Sequence, residues 1–110
     1  MKAHFAIEPA EPDAIVRGVR VLRIYGDVDA SNATDFEAVL REACRSGEVV
    51  VDLTPVAYCD SAAFAVLDRL LASGGVALAL ETHHPVHRAA VLMGLRVCDS
   101  VALATDALGR

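Results

Sequence analysis

The stretch that most restricts what this chain can fold into is "EVVVDL", residues 48–53. Three consecutive valines favour extended backbone, because a β-branched side chain is stiff and crowded in a helix. Successive side chains of a strand point to opposite faces, so an unbroken apolar run belongs to a strand covered on both. A second such run, "VALAL", occupies 76–80. Between the two, Phe64, Leu67, Leu70 and Leu71 recur at helical spacing, and Gly74-Gly75 end the pattern. Strand, helix and strand joined by short links imply parallel neighbours with a right-handed crossover.

The alternation extends in both directions. "VRVLRIYGD" reads as a strand ended by Gly26, and "AHFAIE" at 3–8 as a short edge strand. The prolines of "PAEPDAIVRG" mark a loop or the approach to the second strand. From Ser31 the period becomes helical, with Phe36, Val39, Leu40 and Ala43 on one face. Thr34 and Glu37 have the form of a capping box, Ser31 competes as the cap, and Gly47 supplies the stop. Thr54-Pro55 closes the valine-rich strand. Pro85 suits the first position of a third helix, with Val86, Ala89, Ala90 and Met93 inward and Gly94 at its end. "VCDSVALATDALGR" reads as a short strand and a clipped final helical turn. The expectation is one α/β domain over 1–110, a mixed sheet of four to five strands packed with helices.

Composition narrows the function. The chain has 110 residues, 55% of them apolar and 5% aromatic, enough for one real core. Ten basic and fifteen acidic residues give a net charge of −5 with no basic stripe, which argues against direct contact with nucleic acid. No apolar run approaches the length of a bilayer span, and "MKAHFAIEPAEPD" lacks the apolar core of a signal peptide. Cys44, Cys59 and Cys98 share no metal-ligand or disulfide spacing and read as small buried hydrophobes in a reducing cytoplasm. Cys59, two residues before Ser61, leaves a redox influence on that position conceivable.

Phosphate-binding glycine loops and the hydrolase nucleophile elbow are absent from the sequence, and no cofactor is expected. His83, His84 and His87 could share a metal ion, yet Pro85 interrupts the helix and no carboxylate or thiol completes the set. Exposed histidines near a helix start are the favoured reading. Asp27 and Asp29 stand just past a strand end, where open α/β sheets meet their partners. The plainer role for them is a turn favouring the following helix N-terminus. In "AYCDSAAFAVLDRL", residues 57–70, Asp60 or Ser61 can cap the helix, and the same helix start could accommodate a phosphate on Ser61.

In order, "GDVDASNATDF", "VVVDLTPVAYCDSAAFAVLDRL", "GGVALAL" and "VHRAAVLMGL" resemble the STAS family (sulfate transporter and anti-sigma factor antagonist) over roughly residues 19–95. The Asp-Leu-x5-Asp-Ser element before a helix is the most specific part. The resemblance implies that Ser61 matches the serine phosphorylated in anti-sigma factor antagonists by an anti-sigma factor with serine kinase activity. It also implies a partner-binding surface of Asp27, Asp29, Asp60, Ser61, Ala62, Ala63 and Phe64. A homodimer is compatible with it. This chain departs from the family, which follows Asp-Ser with a hydroxyl residue, Gly and Leu. Here Ala62, Ala63 and Phe64 stand there, and Ala63 places a methyl where the family leaves backbone open to a partner. The expected function is a non-enzymatic cytoplasmic partner switch. The alternative is a constitutive STAS subunit of a lipid-transport ATPase that needs no phosphorylation.

Overall fold

The computed structural model describes residues 3–9 and 18–109. Most of the proline-rich loop expected between the first two strands, residues 10–17, lies outside them. The elements run β1 (Phe5–Pro9), β2 (Arg20–Val28), α1 (Ala33–Cys44), β3 (Val49–Asp52), β4 (Val56–Cys59), α2 (Ser61–Ser73), β5 (Val76–Ala79), α3 (His87–Leu92) and α4 (Val101–Gly109). Five strands form one mixed sheet in the order β1-β2-β3-β5, with β4 also on β2.

The two continuous apolar runs behave as their chemistry requires. Every residue of β3 and β5 is buried. Val49 and Val51 face the larger core with Phe36, Leu40, Phe64, Leu67 and Leu70 of α1 and α2. Val50 joins Ala77, Ala79, Ala104 and Leu108 beneath α4 on the opposite side. Asp52 interrupts the run, and its Oδ1 accepts the Thr54 N–H at 3.0 Å while Oδ2 stands 3.7 Å from Arg23. A buried carboxylate is tolerated because it has these partners.

Several local readings differ from what forms. Gly26 does not end β2, which runs on to Val28. It has φ +87°, and any Cβ there would strike the carbonyl of His4. Only glycine lets β1 pass so closely. The pairing of β2 also shifts register between Gly26 and Asp27. Residues 20–23 pair with β3, Gly26 pairs with Val56 of β4 before the shift, and Asp27 and Val28 pair with Tyr58 and Cys59 after it. β3 and β4 thus lie end to end along one edge of β2. The strand at 56–59 escapes a sequence reading because, with Val56 and Cys59 buried and Ala57 and Tyr58 exposed, it is neither a continuous apolar run nor an alternating one.

Helix α1 is not held by a Thr34–Glu37 capping box. Its N-cap is Asn32, and Glu37 instead binds Arg41 and Arg69. Val39 is exposed rather than inward. Pro85 precedes a shorter α3, in which Ala90 is buried while Ala89 and Met93 are exposed. The chain end is a nine-residue helix rather than a clipped turn, because Ala104 and Leu108 find a sheet face to cover. The expected strand before it shrinks to a single bridge, Ala79 with Cys98.

Candidate functional site

Parallel strands end together, so β2 and β4 bring their following loops side by side. Val28 pairs with Cys59, and the Asp60 N–H donates to the Val28 carbonyl at 3.2 Å. This register sets the Asp27–Asn32 loop against the start of α2.

Of the two residues able to cap α2, Asp60 does so. Its Oδ1 accepts the N–H groups of Ala62 at 2.9 Å and Ala63 at 3.2 Å, and the Phe64 N–H donates to its backbone carbonyl. Its Oδ2 reaches across to accept the Ala30 N–H at 3.2 Å. One carboxylate therefore satisfies two orphan amides of the helix and ties the neighbouring loop to it. Ser61 is left as the first helical residue, exposed, with no side-chain hydrogen bond among the described residues. Helix starts are hospitable to phosphate. Here, however, the carboxylate already holds two of the amides a phosphate could use.

The facing loop is sewn from within. Asn32 is buried, donates from Nδ2 to the Asp27 carbonyl at 3.0 Å, and accepts the Asp29 N–H at 2.9 Å. Asp29 Oδ1 accepts the Ser31 N–H at 2.8 Å and its hydroxyl at 2.6 Å, and these bonds hold the Asp29 carboxyl below its usual range. Asp27 is half-buried.

The expected surface thus divides. Asp27, Asp29, Asp60 and Ser61 come together at the paired strand ends. Ala62 is half-buried against the core, and Ala63 and Phe64 are 0% and 3% exposed. The Ala63 methyl points into the core rather than toward a partner. These last two residues support the helix start from beneath and offer no side-chain surface. Sequence reading passed over two others. Tyr58, 53% exposed, pairs with Asp27 across the strands, and its strand alternates too little for the sequence to single it out. Asn32 was overshadowed by Ser31 and Thr34, although an asparagine amide can donate and accept and so bridge a loop in both directions.

The histidines are not a free exposed set. His84 Nδ1 accepts the Val86 N–H at 3.0 Å, which makes Nε2 the donor to the Val56 carbonyl at 2.8 Å. The ring pins the turn before α3 to β4. Among the described residues no three His, Cys, Asp or Glu side chains gather as metal ligands. Cys59 is free and mostly buried. Burial, followed by the Asp60 and Asp27 charges, pushes its thiol up to about 12, so it carries no reactive thiolate beside Ser61 at neutral pH.

A mixed sheet with helices on both faces thus carries an aspartate-capped helix that opens on an exposed serine. The family model described as "Mlab, STAS domain" matches residues 14–104, and the chain belongs to the STAS domain family. Among solved structures, it is similar to an anti-sigma factor antagonist from Mycobacterium paratuberculosis, with TM-score 0.72 and 17% identity. That match covers 97% of this chain and 96% of the other. It is also similar to the anti-sigma factor antagonist SpoIIAA in its unphosphorylated form, with TM-score 0.57 and 16% identity, over 92% and 94% of the two chains. At these identities the likeness is one of fold. A comparison with curated protein sequences gives no match.

Proposed function

We propose that this STAS domain is a non-enzymatic partner switch of the anti-sigma factor antagonist type, working in the cytoplasm. In this reading the unmodified protein binds an anti-sigma factor with serine kinase activity through the surface of Asp27, Asp29, Tyr58, Asp60 and Ser61. Phosphorylation of Ser61 ends the interaction. The observation that carries it is the division of labour at the start of α2, where Asp60 does the capping and leaves the Ser61 hydroxyl exposed. The Ser61 Oγ would attack the γ-phosphorus of ATP on the partner and lose its proton to the partner's base, with ADP as leaving group. The product carries about −1.5 to −2 charge at neutral pH. It would sit beside Asp60, whose two oxygens are both in use, and next to the loop of Asp27 and Asp29. Repulsion within this acidic corner changes the interface while the buried Ala63 and Phe64 keep the fold.

Incubation with candidate anti-sigma kinases and ATP, read by intact mass, tests this. One added phosphate is expected on the wild type and none on Ser61→Ala. In pull-downs, Ser61→Asp should lose the partner that Ser61→Ala keeps. No phosphate from any kinase that binds the protein would overturn the switch.

One observation favours a second reading. The matching family model carries the Mlab description, while the antagonists are similar at the level of fold. Ala62 also lacks the second hydroxyl of the antagonist pattern. In that reading the same surface binds constitutively as a subunit of a lipid-transport ATPase. Recovery of the ATPase by wild type and Ser61→Asp alike would select it.

A further inference from the structure

The end of α3 presents a surface of a different kind from the acidic corner around Ser61. Val91, Leu92 and Met93 are 50%, 76% and 52% exposed, the last two residues of the helix and its C-cap. Val86, Ala90 and Leu95 are buried in the main core and hold the segment at its start, middle and end. The chain is therefore anchored on either side of three apolar side chains that remain outside. Consecutive residues of a helix point about 100° apart. A protein groove takes side chains at i, i+3 and i+4, which share one side. Three in a row project around a tip, a shape better matched by a fluid apolar medium.

Charge points the same way. From Thr82 to Cys98 the sequence holds no acidic residue, within a chain of net charge −5. Arg88 and Arg96, both exposed, flank the tip, and neither has an ion pair among the described residues. His83 and His87 lie toward Asp99, whose Oδ1 is occupied by Thr82. An exposed apolar tip flanked in sequence by two exposed arginines suits the headgroup layer of an anionic bilayer.

We propose that the tip of α3, Val91 to Met93 with Arg88 and Arg96, docks this protein on the surface of an anionic lipid bilayer. The contact is peripheral, since no helix among the described residues is long and apolar enough to cross a membrane. It does not depend on the fate of Ser61.

Co-sedimentation of the full chain with vesicles tests it. Binding is expected to vesicles containing phosphatidylglycerol, to weaken as salt rises, and to be absent with phosphatidylcholine alone. The double variant Leu92→Glu, Met93→Glu should bind about tenfold more weakly or worse. Arg88→Glu with Arg96→Glu should lose a similar factor. Leu103→Glu, on α4 and 54% exposed in the wild type, should bind as the wild type does. Thermal unfolding establishes that each variant is folded. Absence of binding to phosphatidylglycerol vesicles, or equal loss in Leu103→Glu, overturns the proposal. So does capture of a protein partner that depends on the tip while vesicles remain unbound.

Discussion

The loop entering α1 and the loop entering α2 lie side by side at the ends of parallel strands, and both are built on a short polar side chain at the helix N-cap. They use it differently. Asp60 turns forward, taking two amides of its own helix with one oxygen and the Ala30 N–H with the other. Asn32 makes no side-chain bond to its helix and turns back, holding the Asp27 carbonyl and the Asp29 N–H. The contrast follows from chemistry. An ionised carboxylate only accepts, and suits a helix start with its orphan N–H groups, whereas an amide donates and accepts and can close a loop containing both kinds of group. One junction leaves an exposed hydroxyl, and the other holds the acidic side chains of Asp27 and Asp29 in a hydrogen-bonded loop beside it.

Four substitutions, compared by urea unfolding, would break or sharpen this contrast. The largest effect is expected from Asn32→Ala, about 2–3 kcal/mol, because two backbone groups lose their partner beneath a buried side chain. Asp60→Ala should cost less, about 1–2 kcal/mol, the usual value of a lost cap, since water reaches the exposed helix start. The reverse order would mean that the forward cap, not the sewn loop, holds the corner together.

Smaller still is Glu37→Gln. Hydrogen bonds from Arg69, then Arg41, lower the Glu37 carboxyl from 4.5 to about 2, which joins α1 to α2 behind the two junctions. A depressed acid contributes stability that is present above pH 4.5 and lost as pH falls toward 2. The variant should therefore flatten that part of the acid limb, by less than about 1 kcal/mol for arginines this exposed. An unchanged acid limb would remove Glu37 from the account.

Ser61→Ala should be the quietest, within about 0.5 kcal/mol, because its hydroxyl holds nothing in place. A loss as large as that of Asp60→Ala would make Ser61 a structural cap and undercut the proposed switch.

Much of the fold was legible in particular residues. Val49–Val51 and Val76–Leu80 announced strands covered on both faces, and Phe64, Leu67 and Leu70 announced the helix between them, because burial imposes periodicity directly on a chain. The elements that were misread lack that imprint. Val56–Cys59 is buried only at its two ends and shows neither a continuous apolar run nor alternation, and α4 is mostly small apolar residues whose role depends on the free half of a sheet face. Asp60 and Ser61 were both credible caps, and only the path of the backbone chose between them.

What the sequence determined alone was the layered α/β architecture and the placing of Asp60-Ser61 at a helix start, since both arise from interactions among near neighbours. Tertiary structure decided the rest. The passage of β1 over Gly26, the register shift after it and the end-to-end seating of β3 and β4 on β2 bring Ala30 within reach of Asp60. Such contacts span thirty positions of chain. They follow from how strands register against one another, a long-range choice that no local run of residues encodes.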